Sequence, residues 1–414
     1  MNYEFDVVVA GAGPAGISSA IAVARQGFKV AILERLGCVG GNLTGGCVGP
    51  IMGSVSKGTF GDEIIKLLGG EFYDFNKAKL ILHDLLIKNN VDVFLFTTVS
   101  DVVTEDNLVK SVKAYGKTEN HVFNARFFID CTGDGDLCYK AGCEYKIGRE
   151  QDGLTQPVSL MYVIEGIDKN QTLTCCHEEH YTTLSNGKEY LSMCRQACKD
   201  GILPPSINIV RLYNNGKQGE RIVNATQLNK VNVLDEREIA KAELELRRQM
   251  VVVNEFLKKH VPGFENISVK YCSEYVGIRE SRRIIGEYVL TAEDCLYGKT
   301  FYDGIVHKAD FPLDIHNPDG AGQSEQEGLP PTVTPYDIPY RCFTPKGFNN
   351  LFVAGRCISG DHRAHASYRV MRICLAMGQA VGVACGLCLK NQVTSKQLST
   401  ELLRKTLTDT GIEL

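Results

Sequence analysis

The 414-residue sequence predicts an α/β fold: a Rossmann-like domain with a parallel sheet and a β-meander, interrupted by an inserted α+β domain with an antiparallel sheet. Three observations predict it. A strand–glycine turn–helix–strand unit opens the chain, a second glycine turn follows a strand near residue 130, and a buried strand with a long apolar helix returns near the end.

The first unit runs from Asp6 to Glu34. Val7-Val8-Val9 reads as a buried strand, Gly11-Ala12-Gly13-Pro14-Ala15-Gly16 as a tight turn, Ala15 to Gln26 as a helix, and Val30 to Leu33 as a second strand. Gly11 lets the chain leave the strand sharply, Gly13 lets backbone approach a pyrophosphate, and Gly16 lets helix pack on strand. The helix start offers free N–H groups and a positive dipole end. Glu34 closes the second strand, where a carboxylate accepts hydrogen bonds from a ribose diol. A glycine turn with no ligand would not explain Glu34, so the unit reads as a dinucleotide site.

Six glycines between Gly37 and Pro50 follow, a composition that suits close backbone approach to a flat ligand; Gly41, Asn42 and Thr44 are candidates there. Helices are expected at 62–68 and 78–88, a strand at 91–96, and a meander at 99–103, 108–114 and 121–130. The strand ending at Asp130 runs into Cys131-Thr132-Gly133-Asp134-Gly135-Asp136, the second glycine turn. From Gln156 the pattern alternates as in a half-buried antiparallel strand. A long helix is expected over 234–260, stopped by Pro262-Gly263, with strands at 267–272 and 283–290 and an exposed loop from His316 to Pro331. Asn350 to Arg356 reads as a buried strand, and the stretch from Ser367 as one long helix whose Gly378 and Gly382 require a close partner. The expected division is therefore 1–155 with 330–414, and 156–329 as the insertion.

Net charge is −4, which argues against a nucleic-acid surface. No apolar run of about 20 residues is expected, hence no membrane span. The sixteen cysteines are scattered, and with no secretory leader they read as reduced thiols in a cytoplasmic protein. Cys385 and Cys388 lack a second pair or a neighbouring His, so no metal site is expected.

GAGPAG with Glu34, IDCTGDGD, and NLFVAGRCIS with SYRVMRICLAMGQAVG resemble the FAD-binding fold of the glutathione-reductase type, and most closely the FAD-dependent oxidoreductase family related to fumarate-reductase-like flavoproteins. VGIRESRRIIGEYVLTAED and YDIPYRCFTPKGFNN are similar to the same family. The resemblance implies FAD as cofactor. It implies that Gly11, Gly13, Pro14, Ala15 and Gly16 hold the pyrophosphate, that Glu34 and Arg35 flank the adenosine ribose, and that Val99 meets the adenine. Thr132 and Gly133 would lie on the adenosine side, and Gly355, Arg356 and Ile358 by the ribityl chain and ring. Arg369, Val370 and Met371 would form the helix start under the flavin.

For catalysis, His362 and His365 are acid/base candidates, because imidazole titrates near neutrality. Arg279 and Arg282 are candidates for clamping a carboxylate. The implied activity is hydride transfer between flavin N5 and a small polar substrate, hydroxylated or carboxylated. The alternative is a flavoprotein subunit that passes electrons to a partner protein. Substrate, direction, covalent attachment of the flavin and oligomeric state are left open.

Overall fold

Strand β1 (Asn2–Ala10) lies at the centre of the main sheet and becomes fully buried over Val7–Ala10, as its apolar run requires. This computed structural model describes residues 1–322 and 331–414. The expected boundary at 329/330 and residues 323–330 of the 316–331 loop lie outside the described residues. After β1 come α1 (Pro14–Ala24), β2 (Val30–Leu33), α2 (Phe60–Leu68), α3 (Phe75–Lys88) and β3 (Asp92–Phe94). The meander follows as β4 (Thr98–Glu105), β5 (Leu108–Tyr115) and β6 (Asn120–Asp130), and α4 (Asp136–Ala141) follows the second glycine turn.

After β7 (Tyr145–Ile147) the stretch expected as the insertion carries β8 (Met161–Glu165), then α5 (Tyr190–Lys199), β9 (Arg211–Tyr213), β10 (Arg221–Asn224), α6 (Glu236–His260) and β11 (Ser268–Cys272). The chain returns through β12 (Arg282–Ile284), α7 (Ala292–Leu296), β13 (Gly304–Ala309), β14 (Tyr336–Pro339), β15 (Leu351–Val353), α8 (His362–Tyr368), α9 (Met371–Asn391) and α10 (Thr400–Asp409). The strand expected over 283–290 is shorter, because Tyr288 and Leu290 turn away to bond the Arg341 and Ser359 carbonyls.

The main sheet has the order β3-β2-β1-β6-β5-β4, with β15 also on β6. On its edge away from β1, β6 serves two partners along its length. Its residues 120–124 pair antiparallel with β5, while Phe128 to Asp130 pair parallel with β15. The meander and the returning C-terminal strand therefore share one strand, and the Asp130 end delivers the second glycine turn beside the first.

Gly378 and Gly382 have the close partner their spacing requires. It is α1: a Cβ on Gly378 would fall 2.1 Å from the Ala15 carbonyl oxygen, and one on Gly382 would fall 2.5 Å from that of Ser19. The same small apolar residues make α9 long and apolar enough to cross a membrane by length and composition, with 89% of that stretch buried inside the fold. The expectation that no such run exists is corrected; its composition is explained by packing on α1. The one long helix expected from Ser367 is also corrected. It breaks at Arg369–Val370, where Val370 is extended and Arg369 is tied to Asp314.

The second sheet, β11-β8-β10-β9, uses its two faces differently. Tyr162, Ile164, Leu212 and Val223 point to a core with α5 and α6. Met161, Val163, Tyr213 and Ile222 point back to the large core. Ile284, Cys295, Ile305 and Leu313, from the segment assigned by sequence to the insertion, also pack in that large core.

Candidate active site

Two cavities meet at the C-terminal ends of the parallel strands. The first follows the glycine turn after β1. Gly11 has φ +91, and a Cβ there would lie 2.5 Å from the Cys131 carbonyl oxygen. A Cβ on Gly16 would lie 1.8 Å from the Gly11 carbonyl oxygen, so Gly16 sets helix packing and does not line the cavity. At Gly13 a Cβ would meet nothing within 4 Å. Gly13 is also the cap residue of α1 and supplies no side chain to its N–H groups. The open space and the free donors coincide, which is the cradle a phosphate needs.

Glu34 is 5% exposed, and both its oxygens are used. Oε2 accepts from the Ala12 N–H at 2.7 Å and Oε1 from the Leu36 N–H at 2.9 Å. It braces the turn while facing the cavity. Pro14, Ala15, Arg35, Gly41, Asn42, Val99, Thr132, Gly133, Gly355, Arg356, Arg369 and Met371 line the same cavity, with Gly11 and Gly13. Two expected contacts are corrected. The Thr44 hydroxyl is fully buried and donates to the Val39 carbonyl at 2.6 Å, closing the glycine-rich loop on itself. Ile358 is fully buried in the large core.

Asp134, which sequence reasoning did not single out, organises this wall. Its Oδ1 accepts from Arg356 Nη2 at 2.7 Å and Ser281 Oγ at 2.7 Å, and Arg35 lies 3.5 Å from Oδ2. Burial opposes its ionisation, but Arg356 and Arg35 hold its carboxyl below the usual range. Burial and the nearby Asp134 push Asp136 upward. Three acidic residues within one glycine turn were the available signal.

The second cavity, about 460 Å³, shares Asn42, Ile278, Arg356, Arg369 and Met371 with the first. Its roof is the inward face of the second sheet, with Met161, Arg211, Tyr213 and Asn224 at alternate positions. The junction lies at the start of α9, where Val370 caps the helix without a side-chain hydrogen bond. Val370 lines the second cavity.

The polar end of this cavity is basic. Arg369 Nη2 lies 3.1 Å from Asp314 Oδ2, His316 Nε2 lies 3.4 Å from the same oxygen, and Arg211 lies 3.5 Å from Glu178. Arg279 Nη1 donates to the Pro157 carbonyl at 2.8 Å. Burial, with Arg279 nearby, pushes His316 down to about 3 despite Asp314. Asp314 is held ionised against burial by His316, Arg369 and Arg211. Burial, then Arg369 and Arg211, lower Arg279 to about 9. His316 had been assigned to an exposed loop; it is 5% exposed and faces the cavity.

Three catalytic candidates are displaced. His362, the first residue of α8, is buried, its Nδ1 2.9 Å from Glu280 Oε1, and Glu280 also pairs with Arg283. His365 has no exposed surface, and neither ring nitrogen has a partner among the described residues. Burial, then Arg283 and Arg369, push it well below the usual imidazole range. The polarity of Asp361 to Ala366 is that of a capped buried helix: Asp361 accepts from the Ala364 and Ala292 N–H groups. Arg282 lies outside both cavities, stacked 4.1 Å over Tyr139 and bonded to Asp136 at 2.9 Å. Arg279 is the one catalytic candidate that lines the second cavity.

Thiamine thiazole synthase of Pyrococcus horikoshii is 29% identical over 151 residues, 32% of this chain and 59% of that protein. Thiamine thiazole synthase of Methanothermobacter thermautotrophicus is 30% identical over 164 residues, 36% of this chain and 62% of that protein. The chain thus spans less than two thirds of the length of these relatives. Among solved structures, a geranylgeranyl bacteriochlorophyll reductase-like protein of Thermoplasma acidophilum superposes with a TM-score of 0.47 at 13% identity, covering 100% of this chain and 93% of that one. A family model described as FAD dependent oxidoreductase matches residues 6–407. The chain belongs to that family: it is an FAD-dependent enzyme.

Proposed function

We propose that the enzyme transfers a hydride between a substrate held in the second cavity and N5 of FAD held in the first. The observation that carries the reading is the junction: two cavities share Arg356, Arg369 and Met371 at the uncapped start of α9. The residues suit FAD. The open Cβ position at Gly13 and the free N–H groups of α1 would hold the pyrophosphate. Glu34 has lone pairs left for a ribose diol after its two backbone bonds.

Bound FAD supplies two-electron chemistry at its ring. Everything else falls to the chain. The start of α9 with Arg356 and Arg369 favours negative charge at the junction. Asp134 fixes Arg356 and Asp314 fixes Arg369, so neither guanidinium must reorganise. His316 is the group we assign to proton movement, in place of His362 and His365. It faces the cavity and is oriented by Asp314.

The test is anaerobic mixing of the holoenzyme with panels of hydroxy acids, enoates and longer carboxylates, watching visible flavin absorption. Bleaching by a small molecule, slowed at least tenfold in His316→Gln with FAD content unchanged, is the expected result. Reduction by a protein electron donor and by no small molecule would replace this reading with electron transfer between proteins.

A further inference from the structure

The charges around the second cavity are matched in pairs. Arg211 faces Glu178 at 3.5 Å, Arg369 faces Asp314 at 3.1 Å, and Arg356 faces Asp134 at 2.7 Å. Arg279 is different. Its hydrogen-bond partner is the neutral Pro157 carbonyl, and among the described residues no carboxylate lies within ion-pair distance of it. A guanidinium enclosed in this way carries a charge that burial penalises unless an anion arrives to meet it. Away from that end the wall is apolar: Met52, Met161, Phe311 and Val370 line the cavity. A space of about 460 Å³ is far larger than a two- or three-carbon acid requires.

We propose that the second cavity takes an amphipathic monocarboxylate, its carboxylate on Arg279 and an apolar body of several carbons along Met52, Met161, Phe311 and Val370. This rests on the reading of that cavity as the substrate site, and it replaces the expected small polar substrate by a larger, one-ended acid. One unmatched guanidinium calls for one negative charge; a dianion would leave a charge uncompensated against thioether and phenyl groups. The planar fork of Arg279 suits a bidentate carboxylate. Arg369 and Arg211, already held by Asp314 and Glu178, shape the field around that anion.

The test uses the FAD-loaded enzyme and inert probes, so it needs no turnover. Butyrate, hexanoate and octanoate are titrated by calorimetry beside 1-octanol and octyl phosphate, with the visible flavin spectrum recorded for each. Each added methylene should tighten binding about fourfold. Octanoate should bind more tightly than 1-octanol by about 10- to 100-fold and perturb the flavin spectrum. Arg279→Gln should lose that advantage while keeping FAD content and melting temperature, and Arg279→Lys should recover part of it. Equal binding of 1-octanol and octanoate, tighter binding of octyl phosphate, absence of chain-length dependence, or an unaffected Arg279→Gln would each overturn the proposal. If Arg279→Gln does not fold, the carboxylate–alcohol comparison on the unaltered enzyme decides. An enzyme that binds octanoate yet is reduced by no small molecule would sink the hydride-transfer reading and leave this site standing.

Discussion

The two cavities touch at α9 but are built by opposite means. The cofactor cleft is a backbone construction: its shape comes from side chains that are missing, at Gly11, Gly13, Gly133 and Gly355, and its charge comes from a helix start. The substrate cavity is a side-chain construction. Arg211, Arg279, His316, Met161 and Phe311 reach it from separate strands and loops of both regions. A backbone site is specified by a few consecutive residues, because glycine spacing fixes it locally. A side-chain site depends on which face of each distant strand turns inward.

The sharpest way to break the comparison is to refill the backbone site. Gly16→Ala puts a Cβ 1.8 Å from the Gly11 carbonyl oxygen, with α1 held between β1 and α9, so the backbone must move. We expect a loss of about 3 kcal/mol or more, read as a large fall in the denaturation midpoint of the apoprotein. Gly13→Ala is the control. Its φ of −73 is open to alanine and its Cβ would meet no protein atom within 4 Å. The apoprotein should melt within a degree or two of the parent, while FAD retention collapses. If Gly13→Ala keeps its FAD, the open space at Gly13 is not the phosphate cradle.

A smaller effect is expected where a side chain serves the backbone site. Glu34→Ala strands the Ala12 and Leu36 N–H groups, at about 1–3 kcal/mol for each one left buried and unsatisfied. It also removes the acceptor assigned to the ribose. FAD affinity should fall by about 10- to 100-fold, more than in Glu34→Gln, whose amide oxygen keeps one acceptor. Equal retention in the two variants would remove Glu34 from the cofactor site.

This contrast explains which parts of the site are legible in the sequence. Gly11 to Gly16, Thr132 and Gly133, Gly355 and Arg356, and Arg369 to Met371 are each contiguous, and the parallel register of β1, β6 and β15 brings them together. Asp134 was within reach by the same logic. Arg211, Tyr213 and Asn224 were not, because β9 and β10 are short and only the pairing of β10 with β8, and of β9 with β10, shows which residues face inward. His316 sits in a segment whose composition looks exposed, yet Asp314 and Gln156 hold it inside. His362 and His365 misled for the converse reason. Polar residues beside an apolar helix suggested a site, whereas Glu280, supplied from the insertion side, takes up His362 Nδ1 internally.

The smallest effect separates the two histidine classes by pH. His316 falls from its ordinary 6.5 to about 3 in the fold, through burial and Arg279, and His365 is pushed down by burial and the arginines around it. The unfolded chain therefore binds protons that the folded chain refuses, so stability rises with pH below about 6.5 and falls as the solution is acidified toward 3. Each histidine should cost about 1 kcal/mol at one pH unit below its unfolded value. His365→Phe removes the titration together with two ring nitrogens that have no partner among the described residues, so its melting temperature should exceed the parent's by a few degrees near pH 5.5 and by less near pH 7.5. Its rate of flavin reduction should match the parent's, since His365 lines neither cavity. His316→Gln should flatten the same pH slope but slow reduction, because that ring faces the substrate cavity. A slowed His365→Phe with an unchanged pH slope would return His365 to the chemistry and place the proton path behind α8.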